Sequence, residues 1–245
     1  MIPEEVSAAL DRAERALDAG TSVRGTGFWA AVGAARRDRD LADRYADRIA
    51  AIDRRAFEAG VKLRVPAWIG IAVLLAGTLV GFGAIYVAFW GWGGPLCGFV
   101  EPCEPSPLWA SIVFLGGFAA LIVCTHCLAH WVVGRAVGIR FTHVFLGGPP
   151  PPRPGLKSDY ATYLRASPRA RALMHASGAI VTKLIPFAFL VPGLIWFFDW
   201  NWLMWLLLIV GVTQIVTDVF LSTKVSDWKK VKRELEAAKR ARSTS

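Results

Sequence analysis

Polar and apolar residues are segregated along the chain in long blocks. From residue 1 to about 64, charged residues recur every few positions and the apolar ones fall at helical spacing. Val6, Leu10, Ala13 and Leu17 lie three or four apart, and Gly20 stands where a helix would stop. A helix is therefore predicted from Pro3 to about Ala19. Leu41, Tyr45, Ile49 and Ile52 form a second stripe with arginines and aspartates around it, which predicts one longer helix from Phe28 to Ala59. The two would make a helical hairpin over residues 1–64, packed on itself, with its charges paired at i, i+4 spacing on a solvated face. After Pro66 the pattern changes to four apolar runs, roughly 66–91, 108–136, 172–198 and 202–222. Each is long enough to cross a hydrocarbon core about 30 Å thick. Between the second and third, Ile139 to Phe145 alternates as a strand does, and Gly147, Gly148 and a run of prolines end it. A short re-entrant β-hairpin is expected there. The fold class that follows is an all-α polytopic membrane protein with about four transmembrane helices. Its parts are a cytosolic helical hairpin (1–64), a transmembrane domain (65–223) and a basic cytosolic tail (224–245).

Composition supports the membrane class: 54% of residues are hydrophobic and the mean hydropathy is +0.42. The net charge of +9 would suit nucleic acid in a soluble domain. Here its distribution reads more simply as a topology signal. The connection from Gly91 to Pro107 has no Lys or Arg, carries Glu101 and Glu104, and is flanked by Trp90, Trp92 and Trp109. Arg135, Arg140, Arg153, Lys157, Arg165, Arg169 and Arg171 all fall between the second and third runs, and the tail after Lys224 is strongly basic. By the positive-inside rule, both termini are expected in the cytoplasm, with membrane lipid as a partner and no nucleic acid. The first residues are acidic and amphipathic, so no signal peptide is expected. Cys97 and Cys103 fall in the outward connection, where they are either a disulfide or two free thiols. Cys124 and Cys127 lie within a helix and are not expected to bridge.

Candidate chemistry is concentrated in a few residues inside the apolar runs. His126 and His130 are four apart, so a helix sets both imidazoles on one face, one turn apart. Asp218 is the one charged residue of the fourth run. An ionisable group inside a bilayer is costly and points to function. Two histidines and a carboxylate make a three-ligand zinc site with one position left open. The competing reading is that the histidines bond neighbouring helices. Lys183 lies deeper in the third run than His175; it reads as a structural residue, paired with Asp218 or uncharged, or as a group that binds a substrate carbonyl.

These residues also carry a resemblance. His126-Cys127-Leu128-Ala129-His130 resembles the H-E-x-x-H helix of the site-2 protease family of intramembrane zinc metalloproteases. Gly138-Ile139-Arg140-Phe141 and Phe145-Leu146-Gly147-Gly148-Pro149 resemble that family's glycine-rich hairpin. Ser167-Pro168-Arg169-Ala170-Arg171 with Ala176-Ser177-Gly178-Ala179 resembles the entry to its A-G-P-x-x-N helix, and Asp218 falls where its L-D-G motif places the third ligand. The likeness spans roughly residues 108–225. It implies zinc held by His126, His130 and Asp218. It also implies a hairpin edge for an extended or transmembrane peptide, with Gly147, Gly148, Thr182 and Lys183 as substrate-binding candidates. The chain departs from the pattern at the catalytic glutamate, which is Cys127, at Ala179 and Thr182 for proline and asparagine, and after Asp218, where valine replaces glycine. A thiol at position 127 would act as base, nucleophile or extra metal ligand. The alternative is a pseudoprotease that binds transmembrane segments without cleaving them. A di-iron desaturase also uses H-x-x-x-H but needs more histidines than the 4 in this chain.

Overall fold

The structure is a computed structural model that describes residues 1–91, 108–147, 153–196, 202–220 and 226–243; within these, the side chains of 153, 192–196, 218–220 and 240–243 are not described. Cys97, Cys103 and Gly148 lie outside the described residues. The chain forms two compact units, one of residues 1–70, 131–173 and 232–245, the other of residues 71–130 and 174–231.

The first unit begins with three helices, α1 (Pro3–Asp18), α2 (Phe28–Ala35) and α3 (Arg39–Gly60), where sequence pattern predicts two. The longer predicted helix breaks at Asp38, which adopts an extended backbone and accepts hydrogen bonds from the amides of Asp40 and Leu41. An aspartate that caps a new helix satisfies two orphan donors that a continuous helix would have used otherwise. Val6, Leu10, Phe28, Ala31, Ile49 and Ile52 form the core among the three helices. The charges pair differently from expectation. Arg39 and Asp43 keep i, i+4 spacing, but Arg48 reaches across to Asp11 at 2.5 Å and Glu14 at 2.6 Å, and Arg55 to Asp18 at 2.6 Å. These ion pairs join α3 to α1; they do not brace one helix surface.

The expected pair of strands is present, and a third strand joins it. β2 (Phe141–Gly147) and β3 (Arg153–Ser158) pair antiparallel, and β1 (Arg64–Pro66) adds to the other edge of β2, with Arg64 opposite Phe145. Sequence pattern treats 64–66 as a mere boundary, because three residues are too few for alternation to register. Gly70 lets the chain approach this sheet, since a Cβ there would overlap Val144. Lys157 of β3 meets buried Asp53 of α3 at 2.5 Å. α6 (Tyr160–Arg165) ends in Arg165, which donates two bonds to Asp47, at 2.8 and 2.7 Å.

A buried charge cluster completes this unit. Arg171, 1% exposed, and Glu234, 0% exposed, are joined at 2.7 Å. Arg171 also donates to the carbonyls of Leu164, Ala166 and Arg36. Glu234 accepts from Arg36 at 2.7 Å and from the Tyr163 hydroxyl at 3.3 Å. Burying these charges is tolerable because each hydrogen-bonding group has a partner. Glu234 belongs to α9 (Asp227–Ser243), so the segment expected as a tail is a packed helix.

The second unit is built from most of α4 (Ala67–Gly91), α5 (Leu108–Ala136) and α7 (Pro168–Trp196), all of α8 (Trp202–Phe220), and the first residues of α9. α4, α5 and the Pro168–Val191 part of α7 are long and apolar enough to cross a membrane, as an integral membrane protein requires; the apolar Trp202–Thr217 stretch of α8 is shorter. Phe114, Phe118, Leu190, Leu203, Met204 and Leu207 make its core. Trp68, Val73, Leu79, Val80, Phe82 and Tyr86 of α4 stay exposed, an apolar surface suited to lipid.

Removing one member of the buried cluster strands the other charges. Glu234→Leu is expected to destabilise the protein by about 3–5 kcal/mol, whereas Leu235→Ala at the exposed neighbouring position leaves stability nearly unchanged. Denaturation followed by far-UV circular dichroism checks both.

Candidate metal centre

Small residues allow the histidine-bearing helix to lie close against α4. Gly77 and Gly81 are four apart on α4, the small-xxx-small spacing of close helix pairs in membranes. A Cβ on Gly77 would come within 2.7 Å of Cys124 Sγ, and one on Gly117 of α5 within 2.7 Å of the Gly81 carbonyl. α5 then ends in a Schellman motif: Gly138 takes φ +86°, the Ile139 amide bonds Gly134 O and the Gly138 amide bonds Arg135 O.

The proton positions on His126 and His130 follow from their neighbours on α7. His130 Nδ1 lies 2.7 Å from the Met174 carbonyl oxygen, which can only accept. Nδ1 therefore carries the proton. Thr182 Oγ1 donates to the Gly178 carbonyl at 2.8 Å, so toward His126 Nδ1, also 2.8 Å away, it serves as acceptor. Both rings are thereby held as the Nδ1–H tautomer, with a lone pair on each Nε2. Gly178 has a further part: any Cβ there would overlap the His130 ring. Such outer partners orient metal-bound histidines generally.

The two lone pairs converge with a carboxylate. His126 Nε2 and His130 Nε2 are 3.2 Å apart, and Asp227 Oδ2 is 3.4 Å from the first and 3.3 Å from the second. Among the described residues these three are the one group of histidine, cysteine and acidic side chains close enough to hold a metal ion. Asp227 opens the first turn of α9, where a negative charge suits the helix dipole. Its other oxygen faces Lys230 at 2.8 Å and, more distantly, His175 at 3.9 Å. Burial opposes ionisation of this carboxyl, and the Lys230 ammonium beside it favours ionisation.

The triangle identifies what fits it. Tetrahedral ligands at zinc distances stand about 3.3 Å apart, and cis ligands of an octahedron of similar radius about 3.0 Å. All three edges are close to the first value. A proton on one Nε2 satisfies one line between two atoms, whereas a cation above the triangle reaches all three.

The third ligand expected from sequence was Asp218. Its backbone lies in α8 and its side chain is not described; the carboxylate that meets the histidines is Asp227. Cys127 is 2% exposed and does not belong to the converging group. Thr182, expected to touch substrate, bonds His126. Lys183 donates to the Ala179 carbonyl at 3.2 Å and lies over the Trp228 ring at 5.6 Å. Gly147 ends β2, opposite Arg153. One signal for Asp227 was present in the chain: it is the single acidic residue between Asp218 and Glu234, just after Ser226, a residue type that starts helices. No protein-family profile, characterised protein or solved structure matches this chain.

Gly178→Ala should displace the His130 ring and reduce metal retention, as should Thr182→Ala. Thr182→Ser keeps the hydroxyl and should restore retention, typically tenfold or more above the alanine variant. Equilibrium dialysis against zinc measures each.

Proposed function

We propose that the chain is a membrane-embedded zinc protein of the site-2 protease type, with His126, His130 and Asp227 as the three metal ligands. The near-equilateral triangle of two Nε2 lone pairs and one carboxylate oxygen carries this reading. A bound zinc ion supplies Lewis acidity toward a carbonyl or water. The protein's own part is to hold both imidazoles as Nδ1–H tautomers through Met174 and Thr182, and to keep Asp227 ionised beside Lys230. The end of β2 at Gly147, which Gly148 follows in sequence, is the proposed edge for an extended or transmembrane peptide, and α8 the proposed fourth span. Both termini then lie in the cytoplasm, with the basic segments at anionic lipid headgroups.

Peptide hydrolysis further requires a group that takes a proton on one side and delivers it on the other. A carboxylate does this with two oxygens; the Cys127 thiol has one atom and is buried. General-base assistance is worth about 10²–10⁴ in rate. Slow or absent peptidase turnover is therefore expected, and the burial of Cys127 favours a second reading, a pseudoprotease that binds transmembrane segments.

Protein purified without chelator and supplied with zinc should carry one metal per chain by elemental analysis. His126→Ala and Asp227→Asn should fall to background while Asp218→Asn keeps its metal. The reverse order for the two aspartates would return the third ligand to Asp218. Cys127→Glu rebuilds H-E-x-x-H and should gain zinc-dependent cleavage of a transmembrane peptide; robust cleavage by the native protein that persists in Cys127→Ala would refute the account of the missing base. Topology is checked by thiol labelling of intact cells. Reagent should reach the Cys97–Cys103 connection after reduction and fail to reach a cysteine placed at Ser243.

A further inference from the structure

Away from the metal centre, and wholly within the first unit, α2 and α9 enclose a cleft of about 410 Å³. That volume lies within the range of small-molecule sites. Arg36, Arg37 and Arg233 line it, together with Trp29 and a single carboxylate, Glu236. Trp29 is 53% exposed, with Phe28 edge-on to its ring at 4.9 Å.

The charge around this cleft does not balance. Buried Glu234 lies 2.7 Å from Arg171, 2.7 Å from Arg36 and 3.8 Å from Arg233. Arg171 alone, buried and fully bonded, is enough to neutralise that carboxylate. Arg36, Arg233 and Arg37 then face one carboxylate in the cleft, Glu236, which leaves two positive charges in surplus. Guanidiniums offer forked donors that match phosphate oxygens two at a time. An indole at the rim accommodates the less polar body of such a ligand, as tryptophans do at headgroup level.

We propose that the cleft formed by Trp29, Arg36, Arg37 and Arg233 binds a phosphate ester. The phosphate sits against Arg37 and Arg233, with Arg36 held behind them by Glu234. Two sources supply this chemistry, the headgroup of an anionic phospholipid and a soluble phosphate. Glu236 repels a dianion brought close to it, so inorganic phosphate, which has no neutral flank to turn toward that carboxylate, binds more weakly than a glycerol phosphodiester.

The test uses the full chain in maltoside micelles and isothermal calorimetry, with dihexanoyl phosphatidylglycerol as the lipid probe and inorganic phosphate as the soluble one. Arg37→Gln and Arg233→Gln replace exposed side chains outside the core, and each should weaken binding about tenfold, the loss of one charge-assisted contact. Lys239→Gln, an equal loss of charge elsewhere on α9, should leave binding unchanged. Glu236→Gln should strengthen inorganic phosphate. Tighter binding of the lipid than of inorganic phosphate, lost in both arginine variants, supports a headgroup source; binding of inorganic phosphate as tight as or tighter than the lipid, with the same losses, supports a soluble phosphate and overturns the part assigned to Glu236. Absence of saturable binding by either probe, or equal weakening by Lys239→Gln, overturns the proposal.

Discussion

Two atoms that look incidental, the Met174 carbonyl oxygen and the Thr182 hydroxyl oxygen, set the state of the candidate metal centre. Each takes the Nδ1 proton of one histidine, and so each leaves an Nε2 lone pair facing inward. Without them the two imidazoles would be free to bond one another through a shared proton, as ordinary helix-bridging histidines do. With them, two lone pairs and a carboxylate oxygen point at one spot, an arrangement that like-signed partial charges oppose until a cation occupies it. Both controlling atoms are on α7, one helix turn either side of Gly178, whose missing side chain gives the His130 ring its space. The histidines on α5 are thus oriented by a helix that contributes nothing to the converging group itself.

Charge is handled differently in the two units. In the first, Glu234 and Arg171 are buried and each is surrounded by partners, so the cluster holds α9 in place without strain on any one contact. In the second, the two histidines of α5 meet the Met174 carbonyl, the Thr182 hydroxyl and Asp227. Lys183, the one lysine in the midst of α7, is satisfied by its own helix and by the face of Trp228. A lysine stem is long enough to turn back one helical turn, which reduces the cost of placing it in an apolar segment.

What could be read directly from the chain was whatever local geometry decides. The long apolar runs, the alternation of β2 and the one-face placement of His126 and His130 depend only on the periods of helix and strand. The helix break at Asp38 was written in the sequence as well, but capping competes with helix continuation by about 1 kcal/mol. Periodicity outweighs so small a signal when read alone, and the predicted helix ran through it.

The rest was decided by segments distant in sequence. Asp227 meets His130 across ninety-seven positions, and Met174 meets it across forty-four. Nothing in the periodicity of either segment marks such a meeting. Asp227 stands among lysines in a stretch that reads as a solvated tail, whereas Asp218 stands alone in an apolar run, so transfer cost singled out Asp218 as the ligand. The cost of burying a charge identifies residues that need a reason to be where they are; it does not say which carboxylate the fold brings to the histidines. β1 likewise has too few residues to alternate, and pairs because the edge of β2 is there to accept it. The sequence by itself determined the apolar blocks and the two-histidine face, since bond geometry within one helix sets both. Only the tertiary structure brought the Asp227 carboxylate to the two histidines and set the protons on their rings, because those depend on which atoms three separate helices bring within hydrogen-bond distance.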